Sequence, residues 1–213
     1  MLRIDNLSMP LSWDMALLTE AVLRKLRVPA DQLLSLTLAK KSVDARDKGD
    51  VHFVISADVK LKNEDAWLKR MKPGMANRVT PPAIPALQKP AFSRPPVVVG
   101  AGPAGLFAAL TLAQAGANPI LIERGRSVDA RTQDVAAMQR DGVLDPDSNV
   151  QFGEGGAGAF SDGKLTTGTK SPYIRTVLHT LVEHGAPEES LYLSKPHIGT
   201  DRLKGGVAGL REE

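Results

Sequence analysis

Val97 to Arg124 reads VVVGAGPAGLFAALTLAQAGANPILIER. Three β-branched apolar residues lead into Gly100-Ala101-Gly102-Pro103-Ala104-Gly105. A helical pattern follows, and a second apolar run stops at Glu123. Strand, glycine turn, helix, strand and acid in this order form the fingerprint of a βαβ unit that holds a dinucleotide. Gly100 allows a tight turn out of the strand. Gly102 lets backbone approach a pyrophosphate, and Gly105 lets the helix lie close against the sheet. The helix N-terminus offers free N–H groups and a positive dipole end to phosphates. Leu106, Ala109, Leu110 and Ala113 recur at helical spacing, with small alanines suited to close packing on strands. Gly116 is a natural C-terminal stop. Pro119-Ile120-Leu121-Ile122 reads as the returning parallel strand. Glu123, about twenty residues beyond the glycines, is placed to accept hydrogen bonds from ribose hydroxyls. An acid there argues against NADP, whose 2′-phosphate it would repel. The motif alone does not choose between FAD and NAD.

Composition sets the outer bounds. The 213 residues suit one or two domains, and 42% apolar residues build an ordinary core. There is no cysteine, which excludes disulfides, thiolate nucleophiles and Cys-based zinc sites. It also excludes the redox-active cysteine pair of flavin disulfide reductases. No apolar run approaches a membrane span and the N-terminus has no long apolar signal-like core, so the expected location is the cytoplasm. A net charge of +3 with both signs mixed calls for no nucleic-acid partner.

Three sections follow one another. Residues 1–71 read as a small α+β module, with a strand at Leu2 and Ile4 and a helix from Trp13 to Leu26 stopped by Pro29. A strand through Leu34, Leu36 and Leu38 and a strongly alternating strand from Val51 to Leu61 come next. In the latter, Phe53, Ile55, Ala57, Val59 and Leu61 form a buried face, and His52, Ser56, Asp58 and Lys60 a wet one. Asp44–Asp50 is the turn between them, and a helix covers Asn63 to Met71. This order suggests a ferredoxin-like arrangement. Residues 72–96, with Pro73, Pro81, Pro82, Pro85, Pro90, Pro95 and Pro96, read as an extended, stiff linker. Residues 97–213 read as an incomplete Rossmann-like α/β unit. Beyond the fingerprint it predicts a helix polar on most sides over Asp129–Arg140, an amphipathic helix over Ser171–His184 and a short strand at Leu191–Leu193. Leu210–Glu213 reads as the start of a helix.

Asn149 to Lys170 holds a second glycine-rich run. Gly158, Gly163 and Lys164 have the spacing of a phosphate-binding P-loop, but Leu165 stands where a magnesium-binding Ser or Thr is required. No buried strand precedes it, and LTTGTK is a poor helix start, so the NTPase reading is rejected. A flexible surface loop and a second flavin contact remain open on these residues alone.

VVVGAGPAGLFAALTLAQAG with LIERG, NVQFGEGGAGAFSDGKLTTG and KPHIGTD together resemble a group of bacterial FAD-dependent dehydrogenases of unassigned substrate. That group is similar to the wider two-dinucleotide-binding flavoprotein class. The KKSVDAR segment at Lys40–Arg46 resembles the module that precedes their flavin domain. The resemblance covers nearly the whole chain. It implies FAD, with Gly100, Gly102, Gly105 and Glu123 as adenosine-side contacts and Ala101, Pro103, Ala104 and Arg124 beside them. It also implies that Gly155, Gly156, Gly158 and Ser161 lie near the flavin. A small-molecule substrate, and NAD(P)H as an electron donor, are the partners it implies. Members of the group resemble much longer chains, so this chain reads as an N-terminal portion. An NAD-dependent dehydrogenase, or a non-catalytic nucleotide-binding fragment, is the alternative.

Flavin chemistry belongs to the cofactor, so no acid–base motif is required. No catalytic residue is assigned. His52 reads as surface, and His179 and His184, five apart on a helix, face different sides and argue against a metal pair. His197 is the histidine inside a resemblance segment, and Asp162 and Lys164 read as a loop-stabilising pair. There is no GxSxG elbow of a serine hydrolase.

Overall fold

Internal contacts divide the chain into two units, Met1–Pro82 with Leu191–Ser194, and Ala83–Ser190 with Lys195–Glu213. The structure, a computed structural model, describes residues 1–80, 84 and 86–213. Pro81, Pro82 and Pro85 of the expected linker lie outside the described residues.

The first unit runs β1 (Leu2–Met9), α1 (Met15–Leu26), β2 (Leu33–Asp44), β3 (His52–Leu61), α2 (Glu64–Arg70) and β4 (Asn77–Arg78). Its strands form one antiparallel sheet in the order β2-β3-β1-β4. Alternation decides the layers. Register sets Leu2 and Leu36 beside Val59, and Ile4 and Leu38 beside Ala57. These residues share a core with Leu18, Val22 and Leu26 of α1. Asp14 starts that helix, its carboxylate accepting the Leu17 N–H at 2.7 Å. Arg27, left-handed at φ 56°, ends it.

The polar side of β3 is less wet than its sequence predicts, since Ser56 and Asp58 are both buried. Arg3 donates to both carboxylate oxygens of Asp58, at 2.7 and 2.8 Å, and the Ser56 hydroxyl donates to Asp5 at 2.7 Å. Such bidentate, charge-assisted pairs satisfy a carboxylate that burial would otherwise penalise. The Asp58 hydrogen bond also holds the Arg3 guanidinium above its ordinary pKa. The unit continues past residue 71, where the sequence predicts a linker, because Asn77 and Arg78 pair with Arg3 and Leu2. Of the strand expected at Leu191–Leu193, one parallel bridge remains, Leu193 to Lys41.

In the second unit β5 (Val97–Val99) and β6 (Ile120–Ile122) pair in parallel, Val97 opposite Ile120 and Val99 opposite Ile122. The crossover between them is α3 (Pro103–Gln114), ended by Gly116 at φ 78°. Leu106 and Leu110 bury the inner side of α3, while Ala113, expected against the strands, is exposed. Parallel strands usually have both faces covered. Here Val97 is 55% and Val99 82% exposed, and Ile120 and Ile122 are close to half exposed, so one face of the pair is open. The chain continues through α4 (Val128–Asp141), α5 (Ile174–Glu183) and α6 (Thr200–Glu212). Leu210–Glu213 therefore closes a helix, against the expectation that one starts there. Two small cores hold the unit: Ala101, Leu106, Val128, Ala159 and Val207 in one, and Leu110, Leu181, Ala186, Ile198 and Leu210 in the other. Among the described residues no helix is long and apolar enough to cross a membrane.

Both tryptophans, Trp13 and Trp67, belong to the first unit, so their fluorescence reports its unfolding. Leu18→Ala will lower its stability in denaturant by about 3 kcal/mol, and Asp14→Ala by about 1 kcal/mol. Equal losses for the two would contradict the roles given to core and cap.

Candidate functional site

The fingerprint turn is fixed through the backbone of one residue. Ala101 is buried, its N–H donates to Glu123 Oε2 at 2.7 Å, and its C=O accepts the Gly155 N–H at 2.7 Å. Gly100 sits at φ 96°, a region costly for other residues, and its N–H donates to the Ile122 carbonyl at 2.7 Å. A Cβ on Gly105 would lie 1.8 Å from the Gly100 carbonyl oxygen, so only glycine lets α3 lie this close to the strand. Gly102 is different: its φ of −71° suits any residue, and a Cβ there would meet nothing within 4 Å. The backbone is thus open at the point where α3 begins.

Pro103 takes the first position of α3, and no side chain caps the helix. No acidic residue occupies its first turn, and Glu123 reaches the turn only at the Ala101 N–H, ahead of the helix. A glycine that forces close packing, an open glycine beside it and a bare helix N-terminus fit a pyrophosphate-bearing cofactor.

Glu123 turns both carboxylate oxygens to backbone, Oε1 accepting the Gly125 N–H at 2.9 Å and Oε2 that of Ala101. Each oxygen retains lone pairs for a ribose hydroxyl. Arg124 is engaged outside the turn. It pairs with Asp147 at 3.0 Å and lies over the Phe152 ring at 5.6 Å.

The second glycine run folds onto the first. Besides the Gly155 N–H on Ala101, a Cβ on Gly156 would meet Pro103 Cδ at 3.2 Å. Ser161 closes the run, donating to the Gly158 carbonyl at 2.8 Å and accepting the Gly163 N–H at 3.2 Å. Gly158, Ser161 and Lys164 line a cavity of about 200 Å³ with Gly155, Pro103 and Phe107. That is below the roughly 300–1,000 Å³ of ordinary ligand pockets. The structure thus gathers Gly100–Gly105, Glu123, Gly155, Gly156, Gly158 and Ser161 in one region, and leaves Arg124 engaged elsewhere.

Two site residues escaped the sequence reading. Arg131 is fully buried and donates to five backbone carbonyls of the second run: Asn149, Val150, Gly153, Glu154 and Gly156. Burial pushes its guanidinium below the ordinary pKa, with the Glu123 charge opposing. Glu154, also buried, accepts the Val128 N–H at 2.6 Å and Arg211 Nη1 at 2.8 Å. The available signal was spacing. Val128, Arg131 and Val135 fall on one side of α4, and all three are buried.

KPHIGTD pairs with the end of the second run, Leu165 N–H to the Pro196 carbonyl at 3.0 Å and Ile198 N–H to that of Gly163 at 2.9 Å. His197 and Lys164 form the bridge between them, with the His197 side chain exposed. Lys164 pairs with Asp162 at 2.9 Å, and its hydrogen bond holds the Asp162 carboxyl below its usual pKa. His184 joins the Thr180 carbonyl at 2.7 Å and Glu213 at 2.9 Å. Among the described residues no three His, Cys, Asp or Glu side chains gather as a metal site.

Comparison with known families agrees with this geometry. A family described as "FAD binding domain" matches residues 96–138, which gives FAD as the cofactor of the unit. One described as "Domain of unknown function (DUF8436)" matches residues 1–60. An uncharacterized protein of Clostridium beijerinckii is 44% identical over 214 residues, covering 100% of this chain and 40% of that protein. The chain thus spans about two-fifths of the length of this curated relative.

Two glycine substitutions separate packing from ligand approach. Gly102→Ala will keep the circular dichroism of the parent and weaken FAD binding about tenfold or more. Gly105→Ala will lose both folding of the βαβ unit and FAD. A Gly105→Ala chain that folds and binds FAD normally contradicts the close-packing role.

Proposed function

We propose that the chain is the FAD-binding portion of an FAD-dependent oxidoreductase. The observation that carries this is the joint fixing of Ala101 by Glu123 and Gly155, beside a helix N-terminus that no side chain caps. The match of residues 96–138 to the FAD binding domain supports it. Gly102, Pro103, Ala104 and Gly105 would hold the pyrophosphate, and Glu123 the adenosine ribose. Gly155, Gly156, Gly158 and Ser161 would lie toward the flavin end, where their region carries an apolar cavity walled by Phe107, Leu165 and Val177. Bound FAD supplies the hydride chemistry, exchanging electrons with NAD(P)H or an organic donor. The chain's own part is to orient the cofactor through fixed backbone amides and to limit water at the cavity through its apolar wall.

The β-α-β-β-α-β order and the β2-β3-β1-β4 sheet support reading the first unit as a ferredoxin-like module before a Rossmann-like unit. We assign the protein to the cytoplasm and its substrate to the small organic molecules, without a nucleic-acid or membrane partner.

Added FAD will raise the melting temperature, stabilising the fold by about 2.7 kcal/mol at one hundred times its Kd, and the loaded protein will be yellow. Stabilisation by NAD with no response to FAD would replace this reading with that of an NAD-dependent dehydrogenase.

A further inference from the structure

Arg131 is a buried cation with an unusual set of partners. Among the described residues no carboxylate forms an ion pair with it. Its Nε donates to Asn149 O at 2.7 Å, its Nη2 to Val150 O at 3.0 Å, and its Nη1 to Glu154 O at 2.7 Å, Gly156 O at 2.8 Å and Gly153 O at 3.3 Å. The Phe160 ring lies 4.5 Å from the guanidinium carbon. A guanidinium has five N–H groups in a rigid planar fork, whereas an ammonium offers three from one point. No lysine reaches carbonyls on both sides of this ring of acceptors.

The direction of these carbonyls has a consequence. The peptide linking Glu154 to Gly155 turns its C=O to Arg131, so its N–H points the opposite way, and there it meets the Ala101 carbonyl at 2.7 Å. The next carbonyl on Arg131, that of Gly156, likewise turns the Ala157 N–H away from the guanidinium. Arg131, the Glu154–Gly155 peptide, Ala101 and Glu123 form one continuous hydrogen-bonded chain from the second glycine run to the fingerprint turn.

We propose that Arg131 is a positioning residue that sets the peptide orientation of the second glycine run and thereby docks it on the fingerprint turn. It does not touch the cofactor. Its effect on FAD rests on the oxidoreductase reading above, whereas its effect on the run does not.

Arg131→Lys keeps the charge and Arg131→Met keeps much of the volume, so a role in packing alone predicts that one of them behaves as wild type. Positioning predicts that neither does. In the cofactor-free chain, hydrogen exchange at the Gly155 and Ala101 amides will quicken about tenfold or more in both variants. The α3 amides from Phe107 to Gln114 will keep their wild-type rates. FAD affinity of both variants will fall about tenfold or more. Where either variant is unfolded, Arg131→Ala is assayed with and without ethylguanidinium. Recovery of slow exchange at Gly155 with ethylguanidinium, and not with equal ethylammonium, supports the proposal. Wild-type exchange at Gly155 and Ala101 in either variant, or equal rescue by ethylammonium, overturns it. A wild-type chain that ignores FAD removes the oxidoreductase reading and leaves the exchange result to decide the role of Arg131.

Discussion

The second unit depends on how a buried guanidinium is satisfied. A buried charge carries a large desolvation cost unless hydrogen bonds replace its water. Arg131 meets that requirement with five main-chain carbonyls, all from residues 149–156. Those residues contain three glycines with positive φ, Gly153, Gly155 and Gly156, so the segment has little conformational preference of its own. The cation supplies the order the glycines lack. Removing it leaves the Asn149, Val150 and Glu154 carbonyls without their donor, each costing a substantial part of a hydrogen bond, whereas those of Gly153 and Gly156 keep the Gly156 and Ala159 N–H groups.

From that point the constraint passes outward. The ordered run presents the Gly155 N–H to Ala101, and Glu123 holds Ala101 from the other side. With the turn fixed, Gly105 brings α3 against the Gly100 carbonyl, and the helix start stays open at Gly102. Glu154 ties the same run to Val128 at the start of α4 and to Arg211 of α6. The open start of α3 is thus set by backbone groups that have little freedom to rearrange, which suits the phosphate-binding role proposed for it.

The fingerprint was legible because its physics is local. Gly100, Gly105 and Gly116 each answer to a turn or a contact within the βαβ unit, and Glu123 follows at the spacing the unit dictates. The second run was legible as glycine punctuation, but its docking was not, since that rests on Arg131 some twenty residues earlier (Gly153 to Arg131 in particular). An arginine on a mostly polar helix carries no sign of five buried acceptors beyond its place between Val128 and Val135. β4 was hidden because two residues, Asn77 and Arg78, carry no alternation and stand in proline-rich sequence. α6 was hidden by Gly205, Gly206 and Gly209, which lower helix propensity. It forms because Val207 and Leu210 are buried, and Gly209 leaves room for the His184 ring, which a Cβ there would meet at 3.0 Å. The β5–β6 pair shows the reverse case. Parallel strands usually have both faces covered, yet Val99 stands exposed.

The most direct test of the account is an amide NMR titration of the chain with FAD. The account predicts that the largest shifts fall on Gly102, Ala104, Gly105, Ala157 and Gly158, with Glu123 and its neighbours next, while the amides of Met15–Leu26 in the first unit stay in place. Shifts concentrated in the first unit, or no shifts at saturating FAD, would contradict it.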